Sequence, residues 1–232
     1  MNRDNPKLRI VYHDEFIPKD YLPTFSTLVI ETFYFRIKDL SNQFIVCNDD
    51  FYFINPIPND WFFKDGKIHQ GMSGTRPRKW GNGNSVWSGI IYNNTRFLEK
   101  NILKTQLGQY YHYSHLPDGR VKSYEIHFMD KYGDEVRDAM IVSHFRHPKN
   151  LIPSLLFIDS MKYTKYGVRD EQIYKNSKYA ELTVNTDWKG LRNKQMICLN
   201  DTVNSNADFE NTQKKFLEFM ESVLPEKSSF EK

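Results

Sequence analysis

Cysteine is scarce: the 232 residues hold only two, Cys47 and Cys198, each inside an apolar run. Two cysteines cannot build a disulfide framework, so both are expected to be buried free thiols of a cytoplasmic chain. Long apolar runs are missing as well. No stretch approaches the roughly 18 residues of a membrane span. The first residues, Met1 to Lys7, are too polar for a signal peptide. Any contact with a membrane is therefore expected to be peripheral, at its inner face. Strong charge is absent too, since a net +3 is too small to argue for a nucleic-acid partner. The chain shows no low-complexity tract, linker, P-loop or dinucleotide fingerprint. What it does have is aromatic. Seventeen Phe and 14 Tyr predict a folded core with amphipathic pockets, and the length suits one domain over residues 1–232.

One stretch organises the rest. The run Phe44-Ile45-Val46-Cys47 stops at Asn48-Asp49-Asp50 and resumes as Phe51-Tyr52-Phe53-Ile54. Adjacent carboxylates in so apolar a setting are costly to bury unless paired or bound to a cation. Two readings stand. Asn-Asp-Asp is ordinary turn chemistry. Equally, Asp49 and Asp50 with an Asn carbonyl suit a hard cation, Mg²⁺ or Mn²⁺, able to hold a nucleotide's phosphates. The pattern recurs at Gln195–Asp201, where an apolar run ends in Asn200-Asp201.

In chain order, Leu8–Tyr12 reads as a short strand, and Thr24 is placed to cap a helix from Phe25 to about Ile37 that carries Glu31 on its apolar body. Asp65-Gly66 signals a tight turn. Gly71 to Gly89 reads as a glycine-rich loop whose Arg76, Arg78 and Lys79 could meet an anion. Helical phase begins at Asn94, and His115 follows on extended or turning backbone among tyrosines. A second helix is expected over Asp130–Ile141, then the basic turn Ser143-His144-Phe145-Arg146-His147-Pro148. A buried helix is predicted from Pro153 to Tyr166, closed by Gly167. Residues 168–190 carry no clear signal, and a final amphipathic helix spans Asp208–Leu224.

Together the motifs carry more than spacing. Leu22-Pro23-Thr24-Phe25-Ser26 with Glu31, Asn48-Asp49-Asp50-Phe51-Tyr52-Phe53, His115-Leu116-Pro117, His144-Phe145-Arg146-His147-Pro148 and the tail from Ile197 to Glu231 resemble, in order, the shared blocks of the Stealth family. The resemblance implies a sugar-phosphate transferase of capsule or exopolysaccharide synthesis. Such an enzyme moves hexose 1-phosphate from a nucleotide sugar, usually UDP-linked, onto a hydroxyl of a glycan acceptor and releases the nucleoside monophosphate. It implies that Glu31, Asp50, His115 and Arg146 belong to the active site, with Asn48, Asp49, Asn200 and Asp201 beside it. Asp50 or His115 would be the base, and Arg146 would hold the phosphate. The family's first block is not matched, which implies a domain truncated at its N-terminus. The rival readings are an inactive remnant that binds a nucleotide sugar or glycan, and a metal-dependent phosphodiesterase. The fold expected is α/β: a mixed central sheet flanked by helices, with catalytic residues at strand ends and loops.

Overall fold

The computed structural model describes residues 2–77, 85–113, 115–157, 166–201 and 205–231. The helices are α1 (His13–Phe16), α2 (Thr27–Thr32), α3 (Val86–Phe97), α4 (Lys122–Met140), α5 (153–157), α6 (Glu171–Lys175), α7 (Trp188–Arg192) and α8 (Asn206–Val223). The strands are β1 (Gln43–Val46), β2 (Phe51–Phe53), β3 (Phe63–Lys64), β4 (Lys67–Gln70), β5 (Met72–Pro77), β6 (Gln109–Tyr113), β7 (Asp118–Val121), β8 (Gly167–Arg169), β9 (Ser177–Leu182) and β10 (Met196–Asp201).

Helices flank mixed sheets, an α/β arrangement, but the strands divide into separate small sheets: β1-β7, β2-β10-β9, β3-β4-β8 and β5-β6. In the second, β10 runs antiparallel to β2 and parallel to β9. In the third, β4 runs antiparallel to β3 and parallel to β8. The β3-β4 hairpin turns on Asp65 and Gly66, at φ +52° and +71°. Positive φ at both central positions matches the twist of a two-residue hairpin, as the Asp-Gly pair predicts.

Three apolar centres are found among the described residues, the smallest of them Phe62, Ile173 and Met196; two carry most of the packing. The larger gathers Leu28 and Val29 of α2, Ile90 and Ile91 of α3, Phe128 of α4 and Phe157 of α5. The smaller packs Ile197 and Leu199 of β10 against Leu191 and Phe219, with Phe216, Met220 and Val223 on the same face of α8. That face follows the expected stripe. Phe209 and Leu224, which helical spacing also places on that stripe, are exposed.

Several local expectations change. Leu8–Tyr12 is not a strand; it runs as irregular chain, and Val11 rests on the main core. The expected Phe25–Ile37 helix is α2 followed by a 3₁₀ turn at Tyr34–Arg36, with Ser26 rather than Thr24 at the cap. The glycine-rich stretch is not a loop throughout, because Met72–Pro77 pairs with β6 and Ser85 opens α3. Helix α4 begins before Asp130, at Lys122. The helix predicted from Pro153 is described over 153–157; residues 158–165 lie outside the described residues, and Gly167 begins β8. Residues without a readable signal form α6, β9 and α7. Cys198 is buried as expected, whereas Cys47 is exposed because β1 ends at Val46.

Candidate active site

Glu31 sits on α2 with only 8% of its surface exposed. Ser154 of α5 donates a hydrogen bond to its Oε2 at 3.2 Å. Burial pushes the Glu31 carboxyl above its ordinary 4.5, against the opposing pull of Arg120, Ser154, His115 and Arg146. Beneath it lies Arg120 of β7, wholly buried. Its Nη2 donates to the Glu31 carbonyl at 3.0 Å, and its Nε donates to Glu125 of α4. Phe157 lies under the guanidinium at 4.8 Å, a stacking that suits its weakly hydrated plane. Burial raises the Glu125 carboxyl, Arg120 opposes that rise, and the Arg120 cation persists because arginine does not deprotonate in proteins.

The Asn-Asp-Asp stretch is a turn between β1 and β2. Phe51 N–H donates to the Asn48 carbonyl at 3.2 Å, closing the turn. The next pairing, Phe51 opposite Cys198, sets Asp50 against β10. Cys198 Sγ donates to Asp50 Oδ2 at 3.2 Å, and His115 Nε2 lies 3.3 Å from the same oxygen. Phe51 and Tyr179 meet the His115 ring edge-on, at 5.0 and 6.3 Å. The Cys198 thiol is held far above its ordinary range by burial, by its bond to Asp50 and by that carboxylate's charge.

Arg146 comes from the turn between α4 and α5. Phe25 N–H donates to the His144 carbonyl at 2.7 Å, and Asn150 ties His147 N–H to the Ala139 carbonyl. Arg146 Nη2 donates to Thr27 Oγ1 at 3.2 Å, which fixes the fork at the start of α2.

These parts enclose a cleft of about 230 Å³ lined by Glu31, Asn48, His115, Arg146, Ser154 and Asn200, with Asp118 and Trp87 on its walls. Asp50 adjoins it through His115. Asp49 and Asp201 are exposed and do not line it. Asn200 reaches it while donating to the Tyr179 hydroxyl at 3.3 Å. The backbone of Arg76 lies in β5; Arg78 and Lys79 fall outside the described residues. Among the described residues, a larger cavity, about 460 Å³ between β4, α4 and Tyr166, has no carboxylate on its wall.

Sequence reasoning missed Asp118, Arg120, Glu125, Ser154 and the contact of Cys198 with Asp50. Residues 118–125 carry no reading from sequence, because only the burial of β7 gives their charges a partner. A hard divalent cation would suit Asp50. Its Oδ1 is buried and meets no hydrogen-bond donor among the described residues, the condition of an oxygen that a cation satisfies. Carboxylate, imidazole, guanidinium and amide groups around one cleft can take a proton from a hydroxyl and stabilise a phosphate.

Comparison with known proteins adds the following. The family model for Stealth protein CR2, conserved region 2, matches residues 1–70, and that for Stealth protein CR4, conserved region 4, matches residues 190–232. The first span holds Glu31, Asn48, Asp49 and Asp50; the second holds Cys198, Asn200 and Asp201. The capsular polysaccharide phosphotransferase SacB of Neisseria meningitidis serogroup A is 28% identical over 256 residues, covering 100% of this chain and 44% of SacB. The chain thus spans less than half of that relative's length. The receptor polysaccharide phosphotransferase WefC of Streptococcus oralis is 29% identical, across 98% of this chain and 76% of WefC. The capsular polysaccharide phosphotransferase WcwK of Streptococcus pneumoniae is 26% identical, across 100% of this chain and 77% of WcwK.

Proposed function

We propose that this Stealth chain transfers hexose 1-phosphate from a nucleotide sugar, UDP-linked by preference, to a hydroxyl of a glycan acceptor in capsule or exopolysaccharide synthesis. The observation that carries the reading is the convergence of Glu31, His115 and Arg146 on one cleft, with Asp50 at 3.3 Å from His115. Relatives named polysaccharide phosphotransferases support it. The acceptor hydroxyl oxygen attacks the phosphorus that bears the sugar. A bond forms there, the bond from that phosphorus to the bridging oxygen breaks, and nucleoside monophosphate leaves. The hydroxyl proton passes to the Asp50–His115 pair, in which the carboxylate orients the imidazole and stabilises its cationic form. Arg146 neutralises charge on the transferring phosphate, where a fork matches two oxygens. Asp50, with exposed Asp49 beside it, would hold Mg²⁺ or Mn²⁺, which would neutralise the diphosphate. Asn48 and Asn200 offer amide groups to the sugar or phosphate. The same proposal sets the reaction in the cytoplasm, at the inner face of the membrane, by peripheral contact. Among the described residues no helix is long and apolar enough to cross one.

The test is release of UMP from UDP-N-acetylglucosamine and related UDP-hexoses, with Mg²⁺ and a panel of glycan acceptors. UMP that appears with the unaltered chain and is lost in both Asp50→Asn and His115→Ala is the expected result. Tight UDP-sugar binding with no UMP on any acceptor would overturn transfer in favour of a binding module.

A further inference from the structure

Asp50 is surrounded by more than an acid–base pair needs. Asp50 Oδ2, His115 Nε2 and Cys198 Sγ all lie within 4.8 Å of one another. Two of the separations are known individually: 3.3 Å from carboxylate to imidazole and 3.2 Å from carboxylate to sulfur. A tetrahedral ion with bonds of about 2.0 Å to nitrogen and oxygen and about 2.3 Å to sulfur sets its ligand atoms about 3.3–3.6 Å apart. The carboxylate–imidazole separation matches that span, the carboxylate–sulfur separation falls a few tenths of an ångström short of it, and the imidazole nitrogen and sulfur lie within 4.8 Å, so small side-chain movements would bring the three atoms to the corners of such an ion. One nitrogen, one oxygen and one sulfur are the donors of a borderline ion of the Zn²⁺ class, not of Mg²⁺, which rejects thiolate.

We propose that Asp50, His115 and Cys198 form a three-ligand site for a Zn²⁺-class ion, and that its occupation switches transfer off. Three protein ligands leave a fourth position open to water or a substrate oxygen. Access runs past His115, whose side chain is 39% exposed, while Cys198 is fully buried. The ion displaces the thiol proton to solvent and forms a metal–sulfur bond, so capture strengthens as pH rises. Once bound, it engages the Asp50 oxygen and the His115 nitrogen that the proton transfer uses. Binding stands on the ligand geometry alone; the switching rests on the transferase reading above.

The experiment titrates the reduced full-length chain with Co²⁺ and then Zn²⁺. Expected are tetrahedral visible bands and a thiolate-to-cobalt charge-transfer band, both bleached by Zn²⁺. The charge-transfer band should vanish in Cys198→Ser and persist in Cys47→Ser. His115→Ala should keep the thiolate band but lose at least about tenfold in affinity, and it carries the test if the buried Cys198→Ser variant misfolds. No thiolate band, or one that follows Cys47, overturns the site. In parallel, UMP release with excess Mg²⁺ is measured with added Zn²⁺ and then a chelator. Reversible inhibition that disappears in Cys198→Ser, relative to that variant's own rate, is expected. Undiminished release by a Zn²⁺-loaded chain overturns the switch. No UMP from the Zn²⁺-free chain in excess Mg²⁺, with cobalt binding intact, overturns the transferase reading and leaves the metal site standing.

Discussion

Arg146 is exposed, and the contact it makes inside the cleft is with Thr27. Its removal should therefore leave the fold intact and weaken phosphate stabilisation alone. Arg146→Ala is expected to lower UMP release by about 10²-fold, with an unchanged circular dichroism spectrum. Arg146→Lys should recover little, since a point charge cannot replace a two-pronged contact. Glu31 makes a different prediction. Its carboxyl is raised above 4.5 by burial, so the folded chain holds that proton more tightly than the unfolded chain does. The stability this gives is complete below 4.5 and is lost as pH rises through the folded value. Glu31→Gln keeps an oxygen for Ser154 and removes the titration. The melting temperature of Glu31→Gln minus that of the parent should accordingly climb as pH is raised from 4.5 toward neutrality. A flat difference across that range would mean that Glu31 is not held protonated by the fold.

At the scale of elements, the site depends on how closely α3 meets the turn that carries Arg146. Gly89 lies where a Cβ would come within 2.8 Å of the Pro148 Cβ and 3.2 Å of its carbonyl oxygen. Four residues on, Asn93 donates to that carbonyl at 2.7 Å. Gly89→Ala must push the turn away, at about 1–3 kcal/mol, and it moves the backbone beside Arg146. Ser85 caps the same helix by accepting from Ser88 N–H at 3.1 Å. Ser85→Ala should cost about 1 kcal/mol without displacing the turn. Urea unfolding paired with UMP release separates the two: turnover per folded molecule should fall in Gly89→Ala and hold in Ser85→Ala.

For the whole molecule the central joint is Arg120. It binds the Glu31 carbonyl on α2, Glu125 on α4 and the face of Phe157 on α5. Arg120→Met would leave Glu125 buried without its cation, and breaking such a pair costs about 3–5 kcal/mol. The loss should deepen as pH rises, because a lone buried Glu125 folds only when protonated. Replacing both residues, Arg120→Met with Glu125→Leu, should regain most of the stability in urea unfolding while leaving α2 less well fixed. The two ends of the chain also meet: Asn2 N–H donates to the Phe230 carbonyl at 2.7 Å. The two segments that the family models match, residues 1–70 and 190–232, share a sheet through the β2–β10 pairing.

The sequence by itself determined the chemistry on offer. Asp50 between apolar runs, Glu31 on an apolar helix, His115 before Leu116-Pro117 and Arg146 between two histidines are local patterns that show which side chains are present; it is the family resemblance, not the patterns alone, that groups them as one site. It also determined β10, a continuous apolar run buried along Met196–Leu199, and α8, whose buried face follows its own periodicity. Strand β9 was not legible: its burial is irregular along Ser177–Leu182, and a parallel partner, β10, is what makes it a strand. Nor was the joining of Cys198 to Asp50 across 148 positions, or of Arg120 to Glu31 across 89. Only the tertiary structure decided those, because burial and strand register are set by distant partners. It thereby brought the core thiol of Cys198 against the Asp50 carboxylate beside His115, and set Arg120 beneath Glu31.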